Sequence, residues 1–209
     1  MIRGIIFDMD GTLIDTNDLV MDCIKKTVYK YMGYIPEKDS FNEIIGKPLD
    51  VQMSFFSEKY AVEMIDYYRK IYLERRDEDT KIFTGIIELL KALDESEIKM
   101  AIVSNKGSRG IEHGLEMFKM KNFFELILSV ADVENKKPHP EAINKVLKIW
   151  NMKKEEVLFV GDSHNDILAA NNAGVKSVLV GWSILPIEQF ENLKIDYIID
   201  EPMEIITII

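Results

Sequence analysis

The feature that most limits what this chain can fold into is a set of short apolar runs, rich in β-branched residues, separated by stretches of helical periodicity. The runs are Ile2 to Phe7, Met100 to Val103, Glu125 to Leu128, Val157 to Val160, Ser177 to Val180 and Tyr197 to Ile199. They do not alternate with polar residues, so both faces of each strand are expected to be buried, as in a parallel sheet covered by helices on either side. Between the runs, Ile86, Ile87, Leu89, Leu90 and Leu93 recur at helical spacing, as do Ile111, Leu115 and Phe118, and Ile143, Val146, Leu147 and Trp150. Gly174 follows the small residues Ala169 to Ala173, where a helix stop is expected. This alternation gives an α/β fold, Rossmann-like and doubly wound, with a mainly parallel sheet.

One segment breaks the pattern. From Thr16 to Asp79 no strand is evident, while Leu19, Val20, Cys23, Ile24, Thr27, Val28 and Tyr31, and then Ile65, Tyr68 and Tyr72, follow helical spacing. The expected organisation is a core of residues 1–15 and 80–209 with a helical insertion, 16–79, after the first strand. The charged run Arg75 to Asp79 reads as a solvated connector, and Cys23, Phe55, Phe56, Tyr67 and Tyr68 read as packing.

Bulk properties exclude several classes of function. With 36 acidic against 26 basic side chains, the formal charge of -10 argues against nucleic acid or an anionic membrane as the principal partner. Cys23 is the only cysteine, so no internal disulfide or cysteine zinc cluster can form, which fits a reducing cytoplasm. No apolar run before Asp8 reaches signal-peptide length and none later approaches a membrane span, so a soluble, unexported protein is expected.

The polar residues that follow the strands carry the chemistry. Asp8 and Asp10 come directly after the first strand, at the carboxyl edge where open α/β sheets bind ligands. A carboxylate is ionised at neutral pH and can attack phosphorus without a base; what opposes it is repulsion from an anionic substrate, so neutralising charge must be near. Ser104-Asn105 follows a second strand and offers a hydroxyl and turn N–H groups for phosphate oxygens. Lys137 opens another helix, and Asp162 and Asp166 follow a fourth strand. Asp8, Asp10, Asp162 and Asp166 together can supply a Mg²⁺ site. Singly these residues have plainer explanations, turns for Asp-Gly and helix starts for Ser-Asn; their conjunction in order at strand ends makes the case.

In that order, DMDGT, Ser-Asn, Lys-Pro-His-Pro-Glu and GDSHND resemble the four motifs of the haloacid dehalogenase-like superfamily, in the branch with a helical cap between motifs one and two. The resemblance covers essentially the whole chain, and Gly181-Trp182 and Asp196 to Asp200 are similar to phosphoglycolate-phosphatase-like members. It implies that Asp8 becomes an aspartyl-phosphate and that Asp10 acts as general acid and base. It implies a metal held by Asp8, the backbone carbonyl of Asp10 and Asp162, with Asp166 orienting that shell. Thr12 would position the loop and Asp10, Ser104 and Asn105 would hold phosphate, and Lys137 would bridge nucleophile and phosphate. Lys47, on a cap loop, is the candidate for reading the leaving group, although a solvated loop lysine is the plainer reading for it and for Lys106. His113, His139 and His164 are expected to face solvent.

The implied partner is a small phosphorylated metabolite: a phosphoglycolate-like compound, a sugar phosphate, a nucleotide or pyrophosphate. Nothing in the sequence demands more than a monomer. A phosphosugar mutase is the alternative enzyme, disfavoured by Thr12, where similar mutases carry valine. Asp10 disfavours a dehalogenase. A catalytically silent metabolite-binding protein is the alternative of a different class.

Overall fold

Each of the six apolar runs forms a strand of one sheet. The computed structural model describes the backbone of residues 1–209 and the side chains of all but residues 38 and 39. In chain order the elements are β1 Gly4–Phe7, β2 Ile14–Asp15, α1 Asn17–Met32, α2 Lys38–Asn42, α3 Leu49–Phe56, α4 Ala61–Asp79, β3 Lys81–Ile82, α5 Ile86–Glu95, β4 Lys99–Val103 and α6 Ser108–Met117. They continue with β5 Leu126–Leu128, α7 Glu141–Trp150, β6 Val157–Gly161, α8 His164–Ala173, β7 Lys176–Val180 and β8 Tyr197–Ile199. The main sheet has the order β5-β4-β1-β6-β7-β8, and every pairing in it is parallel.

Alternation along the strands divides the core into two layers. Ile5 and Phe7 of β1, Ile102 of β4 and Val160 of β6 pack against Leu89, Leu90 and Leu93 of α5 and Ile111 and Leu115 of α6. Ile6, Ala101, Val103 and Phe159 face the other way, onto Ile143, Val146 and Trp150 of α7 and Ala169 and Ala170 of α8. Both faces are therefore dry, which is why the strands read as unbroken apolar runs. Each buried leucine or isoleucine contributes about 1.5–3 kcal/mol, so the sheet is a rigid platform for whatever its edge carries. Gly174 ends α8 at φ +76, its N–H returning to Ala170 and Asn171. The α/β architecture agrees with the sequence reading.

Between residues 16 and 79 the chain makes α1 to α4, which share an apolar cluster of their own built on Leu19, Cys23, Val28, Phe41, Ile44, Met53, Met64 and Tyr68. One feature here adds to the sequence reading and a second corrects it. The chain enters and leaves this segment through a ribbon in which Ile14 of β2 pairs with Ile82 of β3; two-residue strands are too short for periodicity to reveal. The run Arg75 to Asp79 is no loose connector but the last turn of α4, where Arg75 pairs with Asp79 at 2.7 Å and with Asp22 of α1. No helix among the described residues is long and apolar enough to cross a membrane.

Candidate active site

Strand register brings three loops level with one another. Phe7 lies opposite Ile102 of β4 and Val160 of β6, so Asp8, Ser104 and Asp162 emerge on one edge of the sheet. Asp166 joins them through the start of α8. Ser163 is the residue before that helix, and its N–H and hydroxyl donate to Asp166 Oδ2 at 3.0 and 2.6 Å. Asp8, Asp162 and Asp166 are all buried, and each offers an oxygen within 4.8 Å of the others. Lys137, also buried, reaches them with its ammonium 2.9 Å from Asp8 Oδ1 and 2.6 Å from Asp166 Oδ1, and donates to the Val103 carbonyl at 3.0 Å.

Three carboxylates against one ammonium leave the cluster with excess negative charge. Burial pushes the Asp8 carboxyl up to about 6; the Asp166 charge adds to this, and Lys137 opposes it. Burial, Asp166 and Asp8 push Asp162 well above the usual carboxylate range. Burial pulls the Lys137 ammonium down, but Asp166 and Asp8 outweigh it and hold its pKa above the ordinary lysine value. The Lys137 ammonium is thus the charge that faces Asp8 Oδ1, and it is shared with Asp166 in a cluster of three buried carboxylates. A buried cluster of three carboxylates whose oxygens lie within 4.8 Å of one another fits a hard divalent cation such as Mg²⁺, which takes oxygen ligands and would relieve the repulsion.

The loop after β1 brings further groups in. Gly11 adopts φ +80, and a Cβ there would lie 2.3 Å from Asp162 Oδ2, so glycine is required by both conformation and space. The turn sends Thr12 toward Asp162 Oδ1, 3.3 Å away, while Thr16 donates to Asp10 Oδ1 at 3.0 Å. The expectation that Thr12 positions Asp10 is thereby corrected: Gly11 turns Thr12 back toward β6, and Thr16 at the base of α1 takes the task. Trp182 donates to the Thr12 carbonyl at 3.2 Å and Ser183 to the Asp162 carbonyl at 2.7 Å, so the loop after β7 braces both segments.

Ser104 is buried beside the cluster, its hydroxyl accepting from the Lys106 N–H at 3.3 Å. The Asn105 side chain accepts from the Lys137 N–H at 3.1 Å, and donates to the Lys137 carbonyl at 3.2 Å and to the Gly46 carbonyl at 3.0 Å. It thus ties the lysine loop to the helical segment. Gly46, at φ +74, rests on the start of α8, where a Cβ would meet Ser163 Oγ at 2.5 Å. Lys47 itself is exposed, and it is the neighbouring glycine that meets the core.

Lys106 departs from the solvated reading. Its side chain is only 17% exposed, and its ammonium lies 2.8 Å from Asp10 Oδ1 and 2.9 Å from the Tyr72 hydroxyl of α4. Neither Tyr72 nor Thr16 was singled out for chemistry in the sequence, where both look like helix packing or a helix start. Among the histidines only His139 is exposed. His113 pairs with Asp77 at 2.7 Å, and His164 stacks on Phe190 with ring centroids 4.6 Å apart, so neither faces solvent freely.

Residues 5–180 match the family model described as haloacid dehalogenase-like hydrolase. The chain belongs to that family. This hydrolase is 36% identical over 208 residues to a candidate pyrophosphatase PpaX of Caldanaerobacter subterraneus subsp. tengcongensis, the alignment covering 100% of this chain and 94% of the relative. It is 34% identical over 208 residues to pyrophosphatase PpaX of Bacillus cereus strain B4264, covering 100% and 96%. Among solved structures, a candidate phosphoglycolate phosphatase from Lactobacillus plantarum superposes with a TM-score of 0.88 at 20% identity, covering 100% of both chains, a likeness of fold.

Proposed function

We propose that this hydrolase is a Mg²⁺-dependent phosphatase that works through an aspartyl-phosphate on Asp8, and that its substrate is inorganic pyrophosphate. The observation that carries the reaction type is the buried cluster of Asp8, Asp162 and Asp166 around the Lys137 ammonium. The relatives named pyrophosphatase, which the chain matches over its full length, support the substrate. A small substrate also agrees with how closely Gly46 and Tyr72 approach the sheet edge.

In this reading Asp8 and Asp162, with the backbone carbonyl of Asp10, would hold Mg²⁺, and Asp166 would orient that shell. When bound, the cation supplies positive charge that draws phosphate oxygens to Asp8 and steadies charge in the transition state. Asp8 forms a bond to phosphorus while the bridging P–O bond breaks, and the bridging oxygen takes its electron pair and a proton from Asp10. Lys137 offsets repulsion as the two anions approach, and Ser104 and the Asn105 N–H bind non-bridging oxygens. In the second half, Asp10 takes a proton from water as water attacks the phosphoryl group, and the Asp8 carboxylate is restored with release of phosphate. Residues 16–79 serve as a cap that closes on the site and excludes bulk water. A monomer in the cytoplasm is sufficient for this chemistry.

The test is release of phosphate from pyrophosphate by the purified enzyme, with a generic aryl phosphate run in parallel. Turnover of both with Mg²⁺, abolished by EDTA, is expected. Activity that survives chelation would remove the metal from the mechanism; turnover of the aryl phosphate without pyrophosphate would keep the mechanism and remove the substrate.

A further inference from the structure

The hydrogen bonds that reach the Asp10 side chain among the described residues end on one of its two oxygens. Thr16 donates to Oδ1 at 3.0 Å, and the Lys106 ammonium donates to the same oxygen at 2.8 Å. The side chain keeps 28% of its surface open, which leaves Oδ2 as the oxygen available to a substrate. With two donors on Oδ1, a proton carried by Asp10 belongs on Oδ2, because on Oδ1 it would face two other hydrogens and find no acceptor.

Lys106 is itself held from several directions. Its ammonium donates to the Tyr72 hydroxyl of α4 at 2.9 Å, and its N–H donates to Ser104 Oγ at 3.3 Å. Its stem crosses Gly110 of α6, where a Cβ would come within 2.7 Å of Lys106 Cε. Glycine is unfavourable inside a helix relative to alanine, and here it leaves room for this side chain. Burial opposes the charge on Lys106, and Asp10 and Tyr72 more than offset it, so a fixed cation faces Asp10. No step of the reaction above uses that cation.

We propose that Lys106 is a positioning residue for the acid and base work of Asp10, and that Tyr72 of the helical segment holds Lys106 in place. The inference rests on the reading of Asp10 as the acid that meets the leaving oxygen. In the first half of the reaction the proton passes from Asp10 Oδ2 to the leaving oxygen as the P–O bond breaks. The carboxylate left behind finds an ammonium already 2.8 Å away. In the second half the same contact keeps that carboxylate in one orientation while Oδ2 takes a proton from water. Tyr72 belongs to α4 and Lys106 to the loop after β4, so the full arrangement exists only with the helical segment on the sheet. Acid catalysis is thereby coupled to closure.

The test compares kcat/KM of the full-length enzyme, in Mg²⁺, for phenyl phosphate and nitrophenyl phosphate. Phenolate is a poor leaving group that needs the proton, whereas nitrophenolate departs with much less help. Lys106→Met is expected to lower kcat/KM for the phenyl ester by about ten-fold or more, and for the nitrophenyl ester by about three-fold or less. Tyr72→Phe removes only the hydroxyl and keeps the ring stacked on Tyr68, so it carries the test if Lys106→Met fails to fold. It should lower the phenyl ester about three-fold more than the nitrophenyl ester, and the double variant should lose no more than Lys106→Met alone, because Tyr72 acts through the lysine. Equal losses on the two esters, or none, in both single variants would overturn the proposal, since a lysine that only supports the fold does not distinguish leaving groups. Asp10→Asn separates that result from failure of the underlying reading. It should show the largest selective loss on the phenyl ester; an Asp10→Asn enzyme that cleaves this ester as wild type does would remove Asp10 as the acid, and the proposal with it.

Discussion

Replacing the proposed nucleophile, Asp8→Asn, should stabilise the metal-free protein. Asp8 is buried, and its carboxyl is raised from 3.8 to about 6, chiefly by burial and then by the Asp166 charge, with Lys137 only partly offsetting them. In the unfolded chain the group loses its proton near the ordinary value; in the folded chain it holds the proton until about 6. Neutral Asp8 therefore favours the fold fully below the unfolded value, and that contribution is lost as pH rises through the folded value. At about pH 7.5 the whole difference, about 3 kcal/mol at 1.36 kcal/mol per pKa unit, weighs against the wild type. Asparagine keeps the shape of the neutral acid and avoids that penalty. For a chain of this length the gain corresponds to a melting temperature about 6–12 °C higher. The assay is thermal or urea denaturation of both proteins at about pH 7.5 in EDTA, and again at about pH 4, where the difference should shrink. Added Mg²⁺ should raise the wild type more than the variant, because the cation needs the carboxylate. A variant less stable than wild type in EDTA at the higher pH would refute the reasoning, since it would mean that Lys137 more than compensates for burial.

Two further substitutions probe the surroundings of Asp8. Lys137→Ala should lower turnover by about 10²-fold or more, and should lower the melting temperature in EDTA, because Asp8 and Asp166 lose the ammonium they share; near-normal turnover on pyrophosphate in Mg²⁺ would place Lys137 outside the reaction. Gly46→Ala should lower the melting temperature by about 2–8 °C, because a Cβ at φ +74 costs about 1–2 kcal/mol in the folded chain, and should reduce kcat/KM because that Cβ would press on Ser163 when the helical segment is closed; unchanged kinetics would show that this contact has no part in closure.

The sheet was legible because burial on both faces leaves its strands no polar positions, and Ile5, Ile6 and Phe7 could be read as strand without knowing their neighbours. The convergence of Asp8, Ser104, Lys137, Asp162 and Asp166 could be anticipated only as motifs at strand ends; the parallel register then brings those ends level. What the sequence hid depends on partners far along the chain. Lys106 reads as an ordinary loop lysine until Tyr72, on α4, closes over it. The division of labour between Thr12 and Thr16 follows from the positive φ of Gly11, and side-chain type alone does not distinguish two threonines in one loop. In Gly46-Lys47 the charge drew notice, whereas the contact with Ser163 requires the residue that lacks a side chain. Strands β2 and β3 are fixed by pairing with each other, which leaves no periodic trace in two residues.

The most direct measurement is to quench the enzyme in acid during turnover of ³²P-labelled pyrophosphate with Mg²⁺ and follow the label. The expected result is protein-bound phosphate, stable in acid and released by hydroxylamine, mapping to the peptide that contains Asp8 and absent from Asp8→Asn. Full turnover without bound label, or label that persists in Asp8→Asn, would contradict Asp8 as the nucleophile.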